Sequence, residues 1–531
     1  MAATPGTIPL TGLPLVTPVD PDHSHYPAWY CSYDGGAMDG ACHIKLSPVS
    51  GFKGAGCPSN EIQYCPYTYV ENIKPPNCVT QPCPGVLDPY FHIAEQYGFA
   101  NWMFQTHQGP SQPAHLFLFS GTSAPDFYND KNSNCGSTDP DCWHWFAAEN
   151  PIAADAGCTS PPGTVVWDLP PATTQTQNPT EQKAYTPKTP PFATAGYPCY
   201  NHPTLVDLFG SSISWRYYTG GNQSFGIWRA PDLIQNICQP TSTYPNTCTY
   251  AGYTNNVYTG NPAQVLRDLG GGSPEEGCNL QQVSWVVPDG DWSDHPGAGS
   301  FDGGPSWVAA IVNAVGNYTN FGQQLRATPC ADTINGQQVP YWQDTVVLVL
   351  WDDWGGFYDD ILPWNCDATG FCGGYPNTTA REYVYGFRVP LLVVSPYVKL
   401  TNGQPGYISG ACPGGNCQNQ EKPPYVHDFG SILNFIEYAF GTGGNPLGGT
   451  GGISPSYFYA DWLAPDGPNN PALCSPQQCP YGLFDFFNFG QTPRPFSRIL
   501  GAKYDTGSFL NPGAYFPNYP ADPDDDAIND D

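Results

Sequence analysis

The sequence predicts an α/β fold built on a largely parallel sheet, with long disulfide-pinned loop insertions. Three observations carry this expectation. Apolar, β-branched runs without polar alternation occur at Thr345–Trp351 and Val389–Ser395, and such runs belong to strands covered on both faces. Segments with apolar residues at helical spacing alternate with them, at Asp88–Tyr97, Gly304–Thr319 and His427–Phe440. Much of the remainder is loop, because the chain holds 59 Gly and 60 Pro, and most of its 20 Cys fall in Gly/Pro/Asn-rich stretches.

Composition narrows the function classes. A chain of 531 residues can build one large core with insertions, and 14% aromatic residues supply burial that disordered chains lack. Seventeen Lys+Arg against 46 Asp+Glu give a net charge of −29, which repels nucleic acid and anionic membranes. An anionic substrate would therefore need a local cation. No apolar run is long enough to span a bilayer, so no transmembrane segment is expected. Cysteines sit close together at Cys57/Cys65, Cys78/Cys83, Cys135/Cys142, Cys238/Cys248, Cys366/Cys372, Cys412/Cys417 and Cys474/Cys479. None forms CxxC, so local disulfides in an oxidising, extracytoplasmic compartment are expected rather than structural zinc. The opening MAATPGTIPLTG has no basic or apolar export signal, which leads to the expectation that the native N-terminus lies upstream.

In chain order, residues 1–60 read as loop carrying Asp22-His23-Ser24-His25 and a glycine turn at Asp34–Asp39. Asp88-Pro89 opens a helix that Gly98 closes. Gly109-Pro110-Ser111 leads into an apolar segment, which places Ser111 at a helix N-terminus, either as an ordinary cap or beside an anion. Residues 122–200 read as a loop-rich insertion, followed by a helix near His202–Phe209 and a strand at Ile213–Tyr218. A strand at Val283–Val287 precedes Asp294-His295-Pro296. The organising stretch is Asp344–Asp360, DTVVLVLWDDWGGFYDD: a buried central strand, expected parallel, then Asp352-Asp353 and a double-glycine turn. Two carboxylates at a strand end either bind a divalent cation or are simply solvated.

Together these pieces resemble the phosphoesterase family of phospholipase C and acid phosphatase type, within the alkaline-phosphatase-like superfamily. The resemblance rests on Asp34-Gly-Gly-Ala-Met-Asp-Gly40, the Tyr90–Gly121 block with Gly-Pro-Ser111, Ile213–Tyr217, Asp294-His295-Pro296, Trp351–Asp360, Phe387–Pro396 and Val426–Leu433, in that order. It implies an alkaline-phosphatase-like layered fold and a metal-dependent phosphoric-ester hydrolase acting on a phosphate ester or phospholipid head group. Ser111 would be the nucleophile, Asp352 and Asp353 with Ser111 would hold the divalent metal, and His295 and His25 would face the phosphoryl group.

Three departures qualify the resemblance. The family's first strand ends in a Glu-Asn motif that completes its metal shell, and nothing before His23 matches it. The family commonly has Asp-His after the double glycine, where this chain has Asp359-Asp360. The phospholipase members carry further C-terminal β-domains, whereas here a loop-rich extension over 441–520 and an acidic, disordered tail over 521–531 follow the 1–440 domain. The alternative is a catalytically impaired relative serving as an extracellular structural or self-assembling protein.

Overall fold

The computed structural model describes residues 10–16, 19–21, 23, 26–39, 46–48, 67–74, 84–108, 111–121, 123, 146–147, 157–164, 166–169, 193–200, 204–220, 226–243, 245, 247–272, 277–296, 302–363, 385–410, 425–443, 445–447 and 482–516. The strands that position the site are β1 (Gly98–Ala100), β2 (Trp215–Tyr218), β3 (Val257–Tyr258), β4 (Val283–Val286), β5 (Val347–Leu350), β6 (Leu391–Val394) and β7 (Tyr407–Ser409). The helices are α1 (Tyr26–Tyr33), α2 (Asp88–Gln96), α3 (Ser111–Ser120), α4 (Gly304–Val315) and α5 (Phe429–Ala439).

Helices cover both faces of a four-stranded sheet ordered β5–β6–β1–β7. Strand β6 shows why: every residue of Leu391–Val394 is buried, and successive side chains point to opposite faces. Leu391 and Val393 join the core containing Phe117 of α3 and Leu433 of α5, while Leu392 and Val394 join the core containing Ile93 of α2 and Val312 of α4. Alternation of this kind yields two apolar faces, and the amphipathic helices bury them. Helix α5 starts sharply because the Asp428 carboxylate accepts the Gly430 and Ser431 N–H groups and the Ser431 hydroxyl accepts the Asp428 N–H. A second sheet, β3–β2–β4, is parallel throughout.

Several expectations need correction. Strand β5 pairs antiparallel to β6, and β6 antiparallel to β1, so only the β1–β7 pair of that sheet is parallel. An apolar run reports that both faces are covered; direction is set by connections the run does not encode. Nor is β5 central and fully buried: among the described residues it lies at the sheet edge, and all four of its residues are half-buried. The first sixty residues hold more than loop, since α1 and the strand Thr11–Leu13 form there and Trp29 is 1% exposed. Cys238–Cys248 is a local disulfide as expected, but Cys158–Cys199 and Cys278–Cys330 join cysteines 41 and 52 residues apart. The other neighbouring pairs, most of 122–200 and the tail over 521–531 lie outside the described residues. Residues 482–516 are loop-rich yet reach both cores through Phe486, Ile499 and Phe509, each 0% exposed.

Candidate active site

Ser111 is the first residue of α3 and is 6% exposed. The first N–H groups of a helix have no intrahelical acceptor and carry the positive end of its dipole, so an anion is stabilised there. The Ser111 hydroxyl donates to Asp353 Oδ2 at 3.3 Å. One turn later on the same face, His115 Nε2 lies 3.2 Å from Asp352 Oδ2. The Tyr217 hydroxyl, donating to the Trp228 carbonyl at 2.5 Å, stands 3.4 Å from His115 Nδ1. Helix α3 therefore engages both neighbouring carboxylates, one through serine and one through histidine.

The carboxylates follow β5, and glycine geometry brings a third segment to them. Asp353 Oδ1 accepts the Gly355 N–H at 2.7 Å, and Gly355 and Gly356 have φ of 62° and 71°. A Cβ on Gly356 would stand 2.5 Å from Pro21 Cβ and 2.6 Å from its carbonyl oxygen, so only glycine lets the strand Val19–Pro21 come this close. That approach delivers His23, whose Nδ1 donates to the Pro21 carbonyl at 2.6 Å and whose Nε2 lies 4.0 Å from Asp353 Oδ1. The His295 ring is 5.1 Å from that of His23, and its Nδ1 donates to the Pro296 carbonyl at 2.7 Å. Because a carbonyl can only accept, both Nδ1 atoms carry protons.

The two carboxyls are driven in opposite directions. Burial raises Asp352, but the hydrogen bond and charge of His115, with the Ser111 hydroxyl, outweigh it and hold this group well below the usual carboxylate range. Burial raises Asp353 and the adjacent Asp352 charge adds to it, while His23 opposes both without cancelling them. Neighbouring carboxyls with separated affinities suit one to stay ionised and the other to exchange a proton near neutrality.

Of the residues expected from sequence, Ser111, Asp352, Asp353 and His295 converge. His25 lies outside the described residues; from that segment, His23 is the histidine placed at the site. His115 escaped the sequence reading, although its position four residues after Ser111 is a legible signal. Asp359, at the second departure, forms a bidentate pair with Arg388, both contacts at 2.7 Å, and belongs to the scaffold. Asp294 accepts from the Tyr90 hydroxyl at 2.5 Å. Asp352, Asp353 and Ser111 are hard oxygen donors, but divalent cations of this class take six or more ligands. Among the described residues no group of three His, Cys, Asp or Glu has the geometry to hold a metal ion, so these residues alone do not close such a site.

Comparison with known proteins finds relatives at low identity. The chain is 26% identical over 180 residues to the non-hemolytic phospholipase C of Pseudomonas aeruginosa, covering 31% of this chain and 20% of that protein. It is 29% identical over 212 residues to phospholipase C A of Mycobacterium tuberculosis, covering 36% and 33%. Against the hemolytic phospholipase C of Pseudomonas aeruginosa it is 22% identical over 378 residues, covering 67% of this chain and 39% of the relative. The matches thus span well under half the length of these relatives. The phosphoesterase family model matches residues 69–325 and 330–443, which include the serine helix and both carboxylates. The chain belongs to the phosphoesterase family.

Proposed function

We propose that the chain is an extracytoplasmic phosphoric-ester hydrolase with Ser111 as its nucleophile, on the alkaline-phosphatase-like layering that the sequence resemblance implies. The observation that carries this reading is the Ser111 hydroxyl, 3.3 Å from the Asp353 carboxylate at the positive end of α3. Asp353 takes the hydroxyl proton as Oγ bonds to phosphorus and the phosphorus–oxygen bond to the alcohol breaks. His295 returns a proton to the departing oxygen, and His23 and the α3 N-terminus stabilise the phosphoryl oxygens. Water then attacks phosphorus, passing its proton to His295, and the Oγ–phosphorus bond breaks as Asp353 returns its proton to Oγ. Family membership and relatives named phospholipases C support the ester class. Three disulfides support an oxidising compartment. Binding of a divalent ion by Asp352, Asp353 and Ser111 is a separate part of the proposal, and no step above runs through it.

Purified protein assayed with p-nitrophenyl phosphate and p-nitrophenylphosphorylcholine, each with and without divalent metals, tests the reading and separates monoester from diester preference. Turnover that Ser111→Ala abolishes supports it; no turnover on either ester under any metal overturns it. Among the described residues the donor set is incomplete, which favours one second reading, an impaired family member with an extracellular structural or assembly role. Ordered self-assembly without metal supports that alternative, and stoichiometric metal with turnover counts against it.

A further inference from the structure

Strands β2 and β4 pair in parallel up to Tyr218 and Val286, and the Val287 N–H donates to the Tyr218 carbonyl at 2.9 Å, so the two end side by side. Ligands of α/β sheets gather at such carboxyl ends. Two carboxylates stand there. Asp289 caps the short turn Gly290–Trp292, its Oδ1 accepting the Asp291 N–H at 3.3 Å. Its Oδ2 faces the end of β2, since a Cβ built on Gly220 would stand 3.1 Å from it. Asp291 is 0% exposed, and among the described residues neither of its carboxylate oxygens has a hydrogen-bond partner. The described lining of the cavity that holds Ser111 includes neither residue, and Asp294, further along, is engaged by Tyr90.

The geometry points to a calcium-binding site at Asp289 and Asp291, separate from the proposed catalytic carboxylates. A carboxylate withdrawn from water is strongly disfavoured unless a cation or hydrogen-bond donors compensate it. Protonation does not remove the demand at Asp291, because the acid hydroxyl then lacks an acceptor. A lysine or arginine of another protein cannot reach a side chain with no exposed surface, whereas a bare ion can. Zinc seeks His and Cys, and magnesium keeps an octahedral shell of water. Calcium takes a carboxylate through both oxygens and completes its shell with carbonyls and water. Among the described residues no third His, Cys, Asp or Glu joins the pair in a metal-holding group, so carbonyls and water supply the rest. Such a lightly charged site belongs with extracellular calcium modules, whose Kd is about 10⁻⁴–10⁻³ M. Burial raises both carboxyls, Asp291 up to about 7 with the Asp289 charge adding, and a divalent ion offsets both effects. The ion also braces the segment that carries His295. The Ser293 hydroxyl donates to the Gly290 carbonyl at 3.2 Å and accepts the His295 N–H at 3.1 Å.

The full chain, stripped of metal by chelation, is titrated with calcium by calorimetry in physiological salt. A parallel titration uses terbium, whose luminescence Trp292, next to Asp291, sensitises. The expected result is a saturable calcium site that Asp291→Asn weakens at least tenfold and Asp352→Asn leaves unchanged, with magnesium at least tenfold weaker. Calcium should displace the terbium signal. It should also raise the urea midpoint of the parent and of Asp352→Asn but not of Asp291→Asn. In the parent chain it should slow amide exchange of Gly290–Ser293 at least threefold, a readout that stands even where Asp291→Asn does not fold. No saturable binding, or exchange at Gly290–Ser293 unmoved by calcium, overturns the proposal. A site lost in Asp352→Asn and kept in Asp291→Asn overturns it too, because the ion then belongs to the catalytic pair. Equal affinity for magnesium overturns the assignment to calcium.

Discussion

A hydroxyl and an imidazole one turn apart on α3 meet two adjacent carboxylates, and most of the candidate chemistry follows from that register. On the proposed mechanism Ser111→Ala should lower kcat by at least about a thousandfold with KM little changed, because it removes the proposed nucleophile. Urea unfolding should show a loss of only about 1 kcal/mol, from a buried Asp353 oxygen left without its donor. Wild-type turnover in that variant would exclude Ser111. His115→Ala acts indirectly: without the imidazole the Asp352 carboxyl rises, so its titration, followed by carbon NMR of the side-chain carboxyls, should move to higher pH. An unmoved titration would leave His115 a packing role. Gly356→Ala combines a left-handed backbone with a clash against Pro21 and should destabilise the fold by about 1–3 kcal/mol, read from the urea midpoint.

At the scale of elements, the helices other than α1 were legible and the strand partners were not. Asp88-Pro89 and the apolar spacing after His427 state their helices outright, because caps and helical periodicity are local signals. The α5 cap also carries a tertiary contact, since the Asp428 carboxylate accepts the Tyr385 hydroxyl at 2.8 Å. Asp428→Ala should therefore cost about 2 kcal/mol in chemical denaturation, more than a cap alone. A loss below about 0.5 kcal/mol would contradict the bonds described. Strand direction failed because Val347–Leu350 reads the same whichever way its neighbour runs. The longer disulfides failed for a similar reason: Cys278 and Cys330 meet only once the intervening 52 residues have packed.

Across the whole molecule, buried carboxyls tune stability against pH. Burial pushes Asp294 up to about 7, with the Asp302 charge adding and the Tyr90 hydrogen bond opposing. The folded chain then holds this proton between about pH 4 and pH 7 while the unfolded chain releases it. This contribution is complete below about pH 4 and is lost as pH rises through 7. Asp294→Asn should flatten that decline, with its stability advantage over the parent growing from pH 4.5 to pH 8 by on the order of 2–4 kcal/mol. Urea midpoints at several pH values measure it; a parallel shift at all pH values would show that Asp294 is ionised in the fold throughout.

The sequence by itself determined which residue types stand at strand ends and helix starts, and hence the expectation that Ser111, Asp352, Asp353 and His295 come together. Those signals are local, set by backbone propensity and motif spacing. Only the tertiary structure decided that His115 holds Asp352, that His23 reaches Asp353 past Gly356, and that β5 runs antiparallel to β6. Each of these depends on segments far apart in the chain coming within a few ångströms, and no local pattern encodes that approach.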